Sequence, residues 1–498
     1  MARSKWLGLL ANILLFLVKT AECSNILAVF VGPGRSQYIL AEPLLIALAE
    51  RGHNVTVISG FETKGVRNLR SIEVNLTYEG NEADSLFTLQ DLTIFENIAA
   101  LHDVGLFLTR RILSDSNVQE LINSKEEFDL VIVETFLNEA HLAFAKHFNA
   151  HLVLFSSLAV SEWNSHLMGN PLLPSYVPIM FSGYTTSMNF YERFRNTMAL
   201  WYDRYYRYFY QTASHQLLVD KYFPKKYDLT EIMYNASIMF TCSHVGTTES
   251  TAIVPSIIEV AGLHIKNNKL PQNIQKFLDA ATDGAIYVSM GTNIPTTGIP
   301  KELLNAMFNV FSNLKQKVIW KLDVNEFVPS ENVLISNWLP QTDILAHPNV
   351  KLFISHCGMG GTTETINYGV PVIGIPMYGD QPMNMNRLKK YGMAIELPFR
   401  TLSESTLKRA IDEVINNETY LENAKKRSKI MNDRLVKPLD EAIYWVEYVI
   451  RHDGAHHLKS SAHNLSWFQL YLGDIILAIL LVPYLLYVSL RLLVRRTK

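Results

Sequence analysis

The 498-residue sequence contains little cysteine and almost no excess charge. Three cysteines, Cys23, Cys242 and Cys357, are too few for a disulfide framework in a chain of this length. We expect Cys357 to pack as a small buried residue, with a Cys242–Cys357 bridge as the less favoured alternative. The net charge of -2 argues against a nucleic-acid partner, because such a partner needs a concentrated basic face.

The sequence also lacks histidines, cysteines and carboxylates at the spacing of a metal site. His141, His147 and His151 pair with no nearby cysteine or carboxylate at the spacing of a metal site, so none is expected. What the chain has in quantity is apolar residues, at 48%. That content and the length predict two to four domains with large cores.

Long hydrophobic runs are scarce, and the two that stand out lie near the ends of the chain. Residues 1–23 combine a basic start at Arg3 and Lys5 with an apolar run and small residues at a cleavage site, which predicts a signal peptide. Residues 470–490 are apolar over the roughly 20 residues that cross a bilayer. We therefore expect a single-pass type I membrane protein.

Basic residues follow the second run and place the tail, residues 491–498, in the cytosol and the rest in the lumen. Arg495 and Arg496 resemble a dibasic address for retrieval to the endoplasmic reticulum membrane, although a stop-transfer flank alone also explains them. Glycosylation sequons fit a lumenal body and occur at Asn75, Asn235, Asn417 and Asn464. Asn54 also matches, but it lies in an apparently buried strand and is not expected to be modified.

Residues 338–381 carry a concentrated set of polar groups at predicted strand ends. A buried strand at 351–355 is followed by His356, then by three glycines and a helix expected to begin near Thr362. The glycines are Gly358, Gly360 and Gly361. Glycine lets backbone amides close on an anion at a helix N-terminus, so this turn predicts a diphosphate site.

The flanking residues supply the other parts of a nucleotide sugar. Trp338 offers a face for a base, Gln341 a contact to the base edge or ribose, and Glu364 a carboxylate for a ribose diol. Asp380 and Gln381 follow a strand at 370–376 and suit sugar hydroxyls. A second approach to the diphosphate follows the strand 285–289, at Ser289, Gly291 and Thr292. Taken singly, the glycines fit an ordinary turn between a strand and a helix, and Trp338 fits a core position. Their occurrence together favours a nucleotide-sugar site.

Three motifs in this stretch resemble the UDP-glycosyltransferases, membrane-anchored enzymes that move a sugar from a UDP-sugar to a small lipophilic acceptor. The motifs are Trp338-x-Pro-Gln341, His356-Cys-Gly-x-Gly-Gly-x-Thr-Glu364 and Gly379-Asp-Gln381. The resemblance implies a GT-B-like α/β fold, with two Rossmann-like lobes facing a cleft. It also implies a UDP-sugar co-substrate without a further cofactor, uracil on Trp338, diphosphate on His356 and the amides, ribose on Glu364, and sugar on Asp380 and Gln381.

Two positions depart from the family pattern. Gly360 replaces a common asparagine, so backbone amides or Thr362 must serve the phosphate. Gln37 replaces the histidine that usually removes the acceptor proton, and a carboxamide has no useful basicity. The acidic partner of that position is expected to be Glu134, at the end of a strand over 128–134, with Glu139 second.

Domain limits follow from strand, helix and loop patterns. We expect an acceptor-binding lobe at 24–254, a connector at 255–283 and a UDP-sugar-binding lobe at 284–436. A helix at 439–451, within a returning and juxtamembrane segment 437–469, should pack back on the first lobe. The aromatic-rich residues 171–223 suit either a lipophilic acceptor cleft or a helix at the membrane interface.

The favoured function is inverting transfer of a hexosyl group, with UDP-glucose preferred over UDP-glucuronate. Without the histidine, amine or acidic acceptors should outperform alcohols. The alternative is a membrane protein that binds a UDP-sugar with little catalysis. A homo-oligomer is compatible with the sequence.

Overall fold

The computed structural model describes residues 23–32, 34–76, 92–292, 298–323, 327 and 330–496. The predicted signal peptide therefore lies outside the described residues, apart from Cys23. Strands alternate with helices through most of the described chain, and the strands form two separate parallel sheets. This arrangement confirms the expected pair of Rossmann-like lobes.

The first sheet has the order β3-β2-β1-β4-β5-β6-β7. Its strands are β1 (Asn25–Phe30), β2 (Asn54–Ser59), β3 (Leu69–Glu73), β4 (Leu130–Glu134), β5 (His151–Ser156), β6 (Ile238–Thr241) and β7 (Ile257–Glu259). Its helices are α1 (Arg35–Glu50), α2 (Ile94–Leu113), α3 (Ser116–Ile122), α4 (Ala143–His147), α5 (Glu162–Ser165), α6 (Phe190–Tyr206), α7 (Thr212–Tyr222) and α8 (Leu229–Met233). A π-helical turn, Arg207–Gln211, joins α6 to α7.

The second sheet has the order β10-β9-β8-β11-β12-β13. Its strands are β8 (Ala285–Ser289), β9 (Lys317–Lys321), β10 (Val333–Ser336), β11 (Val350–Ser355), β12 (Val372–Gly374) and β13 (Ala394–Glu396). The helices from here to the end are α9 (Gln272–Asp279), α10 (Lys301–Ser312), α11 (Gln341–Leu345), α12 (Met359–Tyr368), α13 (Gln381–Lys390), α14 (Glu404–Asn416), α15 (Glu418–Asn432), α16 (Pro438–Arg451), α17 (Trp467–Leu470) and α18 (Gly473–Arg496).

Both faces of the first sheet are buried, which explains why its central strands are apolar throughout. Alternate residues of β1 point to opposite faces, so Leu27 and Val29 join one core while Ile26 and Ala28 join the other. The second core also contains four residues of α16 at helical spacing, Ala442, Ile443, Val446 and Val449. The expectation that this helix returns to pack on the first lobe is confirmed.

Three element limits differ from the predicted ones. β7 pairs with β6 in the first sheet, so that sheet extends past residue 254 into the predicted connector. Helix α12 begins at Met359 and not near Thr362, because Gly360 and Gly361 are tolerated in its first turn. The C-terminal helix begins at Gly473 and continues to Arg496, beyond the predicted end of the membrane span.

The structure also shows the environment of the sequon asparagines and of the two cysteines of the predicted mature chain. Asn54 stands at the start of β2 with its side chain exposed, so burial does not exclude its modification. Cys242 and Cys357 are both buried free thiols. The four other sequon asparagines are also exposed: Asn75, Asn235, Asn417 and Asn464.

Candidate active site

Each sheet has one point where the strand order reverses, and polar residues gather at both. In the first sheet β1 lies beside β4, and in the second β8 lies beside β11. Ligands of open parallel sheets bind outside the carboxyl ends of the strands at such points. The residues there are Gly32 and Glu134 in the first lobe, and Ser289 and His356 in the second.

The two lobes approach each other where these strand ends meet. A side chain added at Gly360 would place its first carbon 3.7 Å from Leu40 of α1, an ordinary contact. Arg35 at the start of α1 lies with its Cζ 4.9 Å from the centre of the Trp338 ring. The cleft therefore contains groups from both sides.

His356 is held at the end of β11 by two glycines. A Cβ at Gly291 would lie 2.5 Å from its Cε1, and a Cβ at Gly358 would lie 2.6 Å from its Nε2, so neither position has room for a side chain. Burial and the nearby Lys321 lower the pKa of His356 to about 4. At neutral pH the imidazole is therefore uncharged and can present one N–H donor.

The first turn of α12 provides the amides of the predicted diphosphate site. Gly358 is the N-cap and supplies no side-chain acceptor, so the turn's N–H groups are not capped by it. Thr362 is buried, and its hydroxyl donates to the Cys357 carbonyl at 3.3 Å. Of the two groups expected to replace the asparagine, the amides are thus better placed than Thr362.

Glu364 is the centre of a buried hydrogen-bond network. Its carboxylate accepts from Gln341 Nε2 at 2.5 Å and from Thr342 Oγ1 at 3.1 Å, and it lies 3.2 Å from His264 Nε2. Tyr287 donates to Gln341 at 3.2 Å. The structure thus joins Gln341 and Glu364, and these contacts hold the carboxylate in place.

Trp338 is 51% exposed and carries two cations near its ring. Besides Arg35, Lys321 Nζ lies 5.4 Å from the ring centre and donates to the Gly291 carbonyl at 2.8 Å. Burial and the charge of Arg35 oppose the protonated form of Lys321, and they lower its pKa. Two like charges held close together favour an anion between them.

Asp380 and Gln381 stand at the start of α13. Asp380 accepts from Asn384 Nδ2 at 2.6 Å, and burial raises the pKa of its carboxyl despite that bond. Gln381 Oε1 accepts from the Met377 amide at 2.8 Å, which orders the loop before the helix. Ser289 Oγ similarly accepts from the Gly291 amide at 3.2 Å.

On the first lobe, Gln37 and Glu134 both face Gly32. The Gly32 amide donates to Glu134 at 2.9 Å, and a Cβ at Gly32 would lie 2.3 Å from Gln37 Oε1. Gln37 Nε2 donates to Ser157 at 3.4 Å, and Ser157 also bonds to Glu134. Burial raises the pKa of Glu134 to about 7, against the lowering effect of these hydrogen bonds.

Glu139 lies in a different environment. It accepts from Gln211 at 2.5 Å and lies 3.5 Å from Arg207, the two buried residues of the π-helical turn. Of the two acidic candidates, Glu134 is therefore the one beside Gln37. Within the part of the chain that the structure describes, His, Cys, Asp and Glu side chains form no metal-binding group.

Several site residues were not anticipated from the sequence. Lys321 ends β9, and the rule that sites form at strand ends could have identified it. Arg35, Ser157, His264 and Tyr287 carry no comparable signal, because their roles depend on contacts across the fold.

Comparison with known proteins agrees with this geometry. A family model described as "UDP-glucoronosyl and UDP-glucosyl transferase" matches residues 27–495. UDP-glucosyltransferase 2 of Dactylopius coccus is 37% identical over 469 residues, covering 92% of this chain and 90% of the relative. UDP-glucuronosyltransferase 2B10 of Homo sapiens is 28% identical over 510 residues, covering 95% and 93%.

The fold is also similar to that of solved GT-B glycosyltransferases. The calicheamicin glycosyltransferase CalG4 aligns with a TM-score of 0.58 and 16% identity, covering 86% of this chain and 99% of that one. At this identity the likeness concerns the fold alone. The family match extends over nearly the whole chain, so this protein belongs to the family of UDP-glucuronosyl and UDP-glucosyl transferases and is a UDP-glycosyltransferase.

Proposed function

We propose that the protein transfers a hexosyl group from a UDP-sugar to a small lipophilic acceptor with inversion at the anomeric carbon. Uracil would stack on Trp338, Glu364 would bind the ribose, and Asp380 with Gln381 would bind the sugar. The observation that carries the proposal is that both strand-order reversals open into one cleft, with the donor residues on one side and Gln37 on the other.

The diphosphate would be held mainly by preorganised charge and amides. His356 is uncharged at neutral pH, so it contributes a hydrogen bond, whereas Lys321 and Arg35 contribute positive charge beside it. These cations compensate for the missing asparagine at Gly360. Groups aimed at the charge that develops on the departing UDP lower the barrier without further reorganisation.

The acceptor side lacks an ordinary general base. Gln37 can only orient a hydrogen bond, and Glu134 is buried behind it. Amines attack through a lone pair before losing a proton, and carboxylic acids, with a reference pKa near ~4, arrive ionised. Amine and acidic acceptors should therefore react faster than alkyl alcohols.

UDP-glucose is the favoured donor. The 37% identical relative is named a UDP-glucosyltransferase, whereas the 28% identical human relative is named a UDP-glucuronosyltransferase. Competition binding of the two UDP-sugars to the solubilised protein tests this choice. Tighter binding of UDP-glucuronate would contradict it.

The absence of the usual base also supports a second candidate function, binding of a UDP-sugar with little catalysis. UDP release measured with and without matched amine, acid and alcohol acceptors separates the two. Acceptor-dependent release supports the transferase, with amines or acids fastest. Tight UDP binding without acceptor-dependent release supports the binding protein.

The aromatic segment is better explained by a membrane surface than by an acceptor cleft. Phe190, Trp201, Tyr205, Tyr208 and Phe209 are all more than half exposed on α6 and the π-helical turn. Aromatic side chains prefer the boundary between lipid and water.

The position of this aromatic face relative to the membrane helix supports the same explanation. Helix α18 is apolar and long enough to cross a bilayer, and nothing in the described chain buries it. Arg204 of α6 lies with its Cζ 5.5 Å from the ring centre of Tyr471, just before α18. Helix α6, which carries Phe190, Trp201 and Tyr205, thus approaches the start of the span, as expected if both contact one membrane.

Vesicle flotation of a chain ending at residue 472 tests the membrane surface. It should still float with anionic vesicles, and Trp201→Ser with Phe209→Ser should abolish this. Tyr444→Ser, which changes an exposed aromatic on α16, should not. If the Trp201 and Phe209 double substitution left flotation unchanged, as the Tyr444 control should, the proposed membrane contact would be contradicted.

We place the catalytic lobes in the lumen of the endoplasmic reticulum. The exposed sequon asparagines, the apolar helix and the basic residues after it support this orientation. We expect that glycosidase treatment changes the electrophoretic mobility of the protein, and that the lobes are protected from added protease in sealed microsomes. Loss of the lobes to external protease would contradict it.

A further inference from the structure

A cavity between the lobes contains a buried arginine without an anionic hydrogen-bond partner. Arg387 of α13 is 7% exposed and lines this cavity with Met383. Nη1 donates to Asn384 Oδ1 at 3.3 Å, and Nη2 lies 3.5 Å from Met383 Sδ. Nε has no hydrogen-bond partner among the described residues. The hydrogen-bond contacts of the guanidinium are therefore to neutral atoms of the same helix.

The nearest carboxylates have other partners. Glu249 lines the same cavity, but it accepts from the Thr186 amide at 2.9 Å and hydroxyl at 2.8 Å and pairs with Lys390. Asp380 accepts from Asn384, the residue that also accepts from Arg387. Glu249 and Asp380 attract the charge of Arg387, but each is hydrogen-bonded to another residue, and no carboxylate among the described residues accepts a hydrogen bond from the guanidinium.

A buried guanidinium is costly unless an anion offsets its charge. Its planar donors match a carboxylate in two parallel hydrogen bonds, which neutral amide and thioether atoms cannot replace. A second polar group is available, because Ser161 Oγ is buried in the cavity wall and has no partner in the described part of the chain. The cavity thus presents donors without a matching acceptor.

We propose that Arg387 is a carboxylate-binding residue of the active-site cleft and selects substrates that carry an acid group. The proposal deepens the proposed transferase function and rests on it for the identity of the substrates. Most of the cavity wall comes from the first lobe, including Val160, Val177 and Ser243, which favours the acceptor as the source of the carboxylate. The link from Asp380 through Asn384 to Arg387 makes the acid of a uronic sugar donor the other source.

Helix α13 is fixed against the first lobe where the cavity forms. Asn386 donates to the Gly183 carbonyl at 2.6 Å, and Lys390 reaches Glu249 from the same helix. Arg387 lies between these two contacts in the sequence. The backbone that carries Arg387 is therefore held at the interface between the lobes.

The experiment compares an aminobenzoic acid with its methyl ester on the full-length solubilised protein, because the amine is then the attacking group in both compounds and only the carboxylate differs. Calorimetric binding is measured for both, and kcat/KM is measured for transfer from UDP-glucose. The wild type should bind the acid more tightly than the ester. Arg387→Met should weaken binding of the acid by about 30-fold or more, as expected for loss of one partner of a buried charge pair. Binding of the ester should be nearly unchanged. Arg409→Met, at an exposed arginine of α14, is the matched control.

A second arm compares UDP-glucuronate with UDP-glucose. Selective loss of UDP-glucuronate binding in Arg387→Met would assign the carboxylate to the sugar. Selective loss of the acid acceptor would assign it to the acceptor. Equal losses for charged and neutral ligands, or wild-type protein that does not distinguish acid from ester and UDP-glucuronate from UDP-glucose, would overturn the proposal.

The wild-type comparison does not depend on the variant folding, and Arg387→Lys, which keeps the charge, should retain part of the preference. If the protein preferred the acid but bound no UDP, the transferase function would fail while the carboxylate site stood.

Discussion

Replacing Gln37 by histidine should create a general base at a position where, in the proposed function, only an amide is present. Gln37 occupies the third position of α1 and lies over Gly32, next to Glu134. An imidazole there would have an acidic residue beside it and the cleft in front of it. The carboxylate of Glu134 would orient the ring and balance the positive charge that the ring gains on accepting the acceptor proton.

The expected size follows from general base catalysis and from the state of Glu134. A positioned base contributes ~10² to 10⁴ in rate, equivalent to roughly 3 to 5 kcal/mol of barrier. Burial raises the pKa of Glu134 to about 7, so its ionised fraction increases as the pH rises through neutrality. Turnover of an alkyl alcohol should therefore rise by about 10²-fold or more in Gln37→His, and the gain should be larger at pH 8 than at pH 6.

The assay is a pH series of kcat/KM for a matched alcohol and amine of the same skeleton. Amine turnover should change little, because the amine does not need the base. The double variant Gln37→His with Glu134→Gln should lose much of the alcohol gain, and this loss measures the coupling between the two positions. A folded Gln37→His protein with unchanged alcohol turnover would refute the reasoning, since another group would then already act as base.

Three further predictions follow from the same geometry. Glu364→Ala should weaken UDP in calorimetry while leaving 2′,3′-dideoxy-UDP nearly unchanged, and equal losses for both would contradict a ribose contact. Gly291→Ala should lower both the melting temperature and the affinity for UDP, because the new Cβ would lie 2.5 Å from His356. Gly379 has a similar positive φ but open space around it, so Gly379→Ala should keep the affinity for UDP. Equal effects of the two substitutions on UDP affinity would contradict the steric argument. The raised pKa of Glu134 favours its protonated form in the folded state. The free energy of unfolding should therefore fall as the pH rises from about 4.5 to about 7, by at most about 3 kcal/mol from this group. Chemical denaturation of Glu134→Gln should show a smaller fall over this pH range, and the same fall as in the wild type would contradict the argument.

The sequence predicted the strands well because their signals are local. Apolar runs such as those of β4 and β11 can be buried on both faces only in a covered parallel sheet, and glycines after a strand restrict what the chain can do next. The start of α12 was missed because Gly360 and Gly361 suggest a turn when seen alone. In the folded chain they lie in a helix whose position β11 already determines.

Arg35 and Arg387, unlike Lys321, could not be predicted as buried or cleft residues, because their environment comes from the other lobe or from burial. Arg35 follows a turn and would normally be exposed, yet it reaches Trp338 across the cleft. Arg387 precedes Lys389 and Lys390 in what looks like the basic end of an exposed helix, but only Arg387 is buried in the cavity wall. Sequence spacing shows which face of a helix such residues share, but not which lobe covers it.

The aromatic segment shows a different limit. Its composition was compatible with two surfaces, an acceptor cleft and a membrane, because both favour tyrosine, phenylalanine and tryptophan. The proposed membrane surface rests instead on exposure and position: Trp201 and Phe209 are more than half exposed, and Arg204 of the same segment lies near Tyr471, just before α18.

The most direct test of the account is calorimetric titration of the full-length solubilised protein with UDP, repeated with Trp338→Ala and His356→Ala. We expect one site per chain and weaker binding in each variant, because one loses the stacking surface and the other a diphosphate donor. An absence of binding heat at several temperatures, or affinities that neither substitution changes, would contradict the assignment of this cleft to a uridine diphosphate sugar.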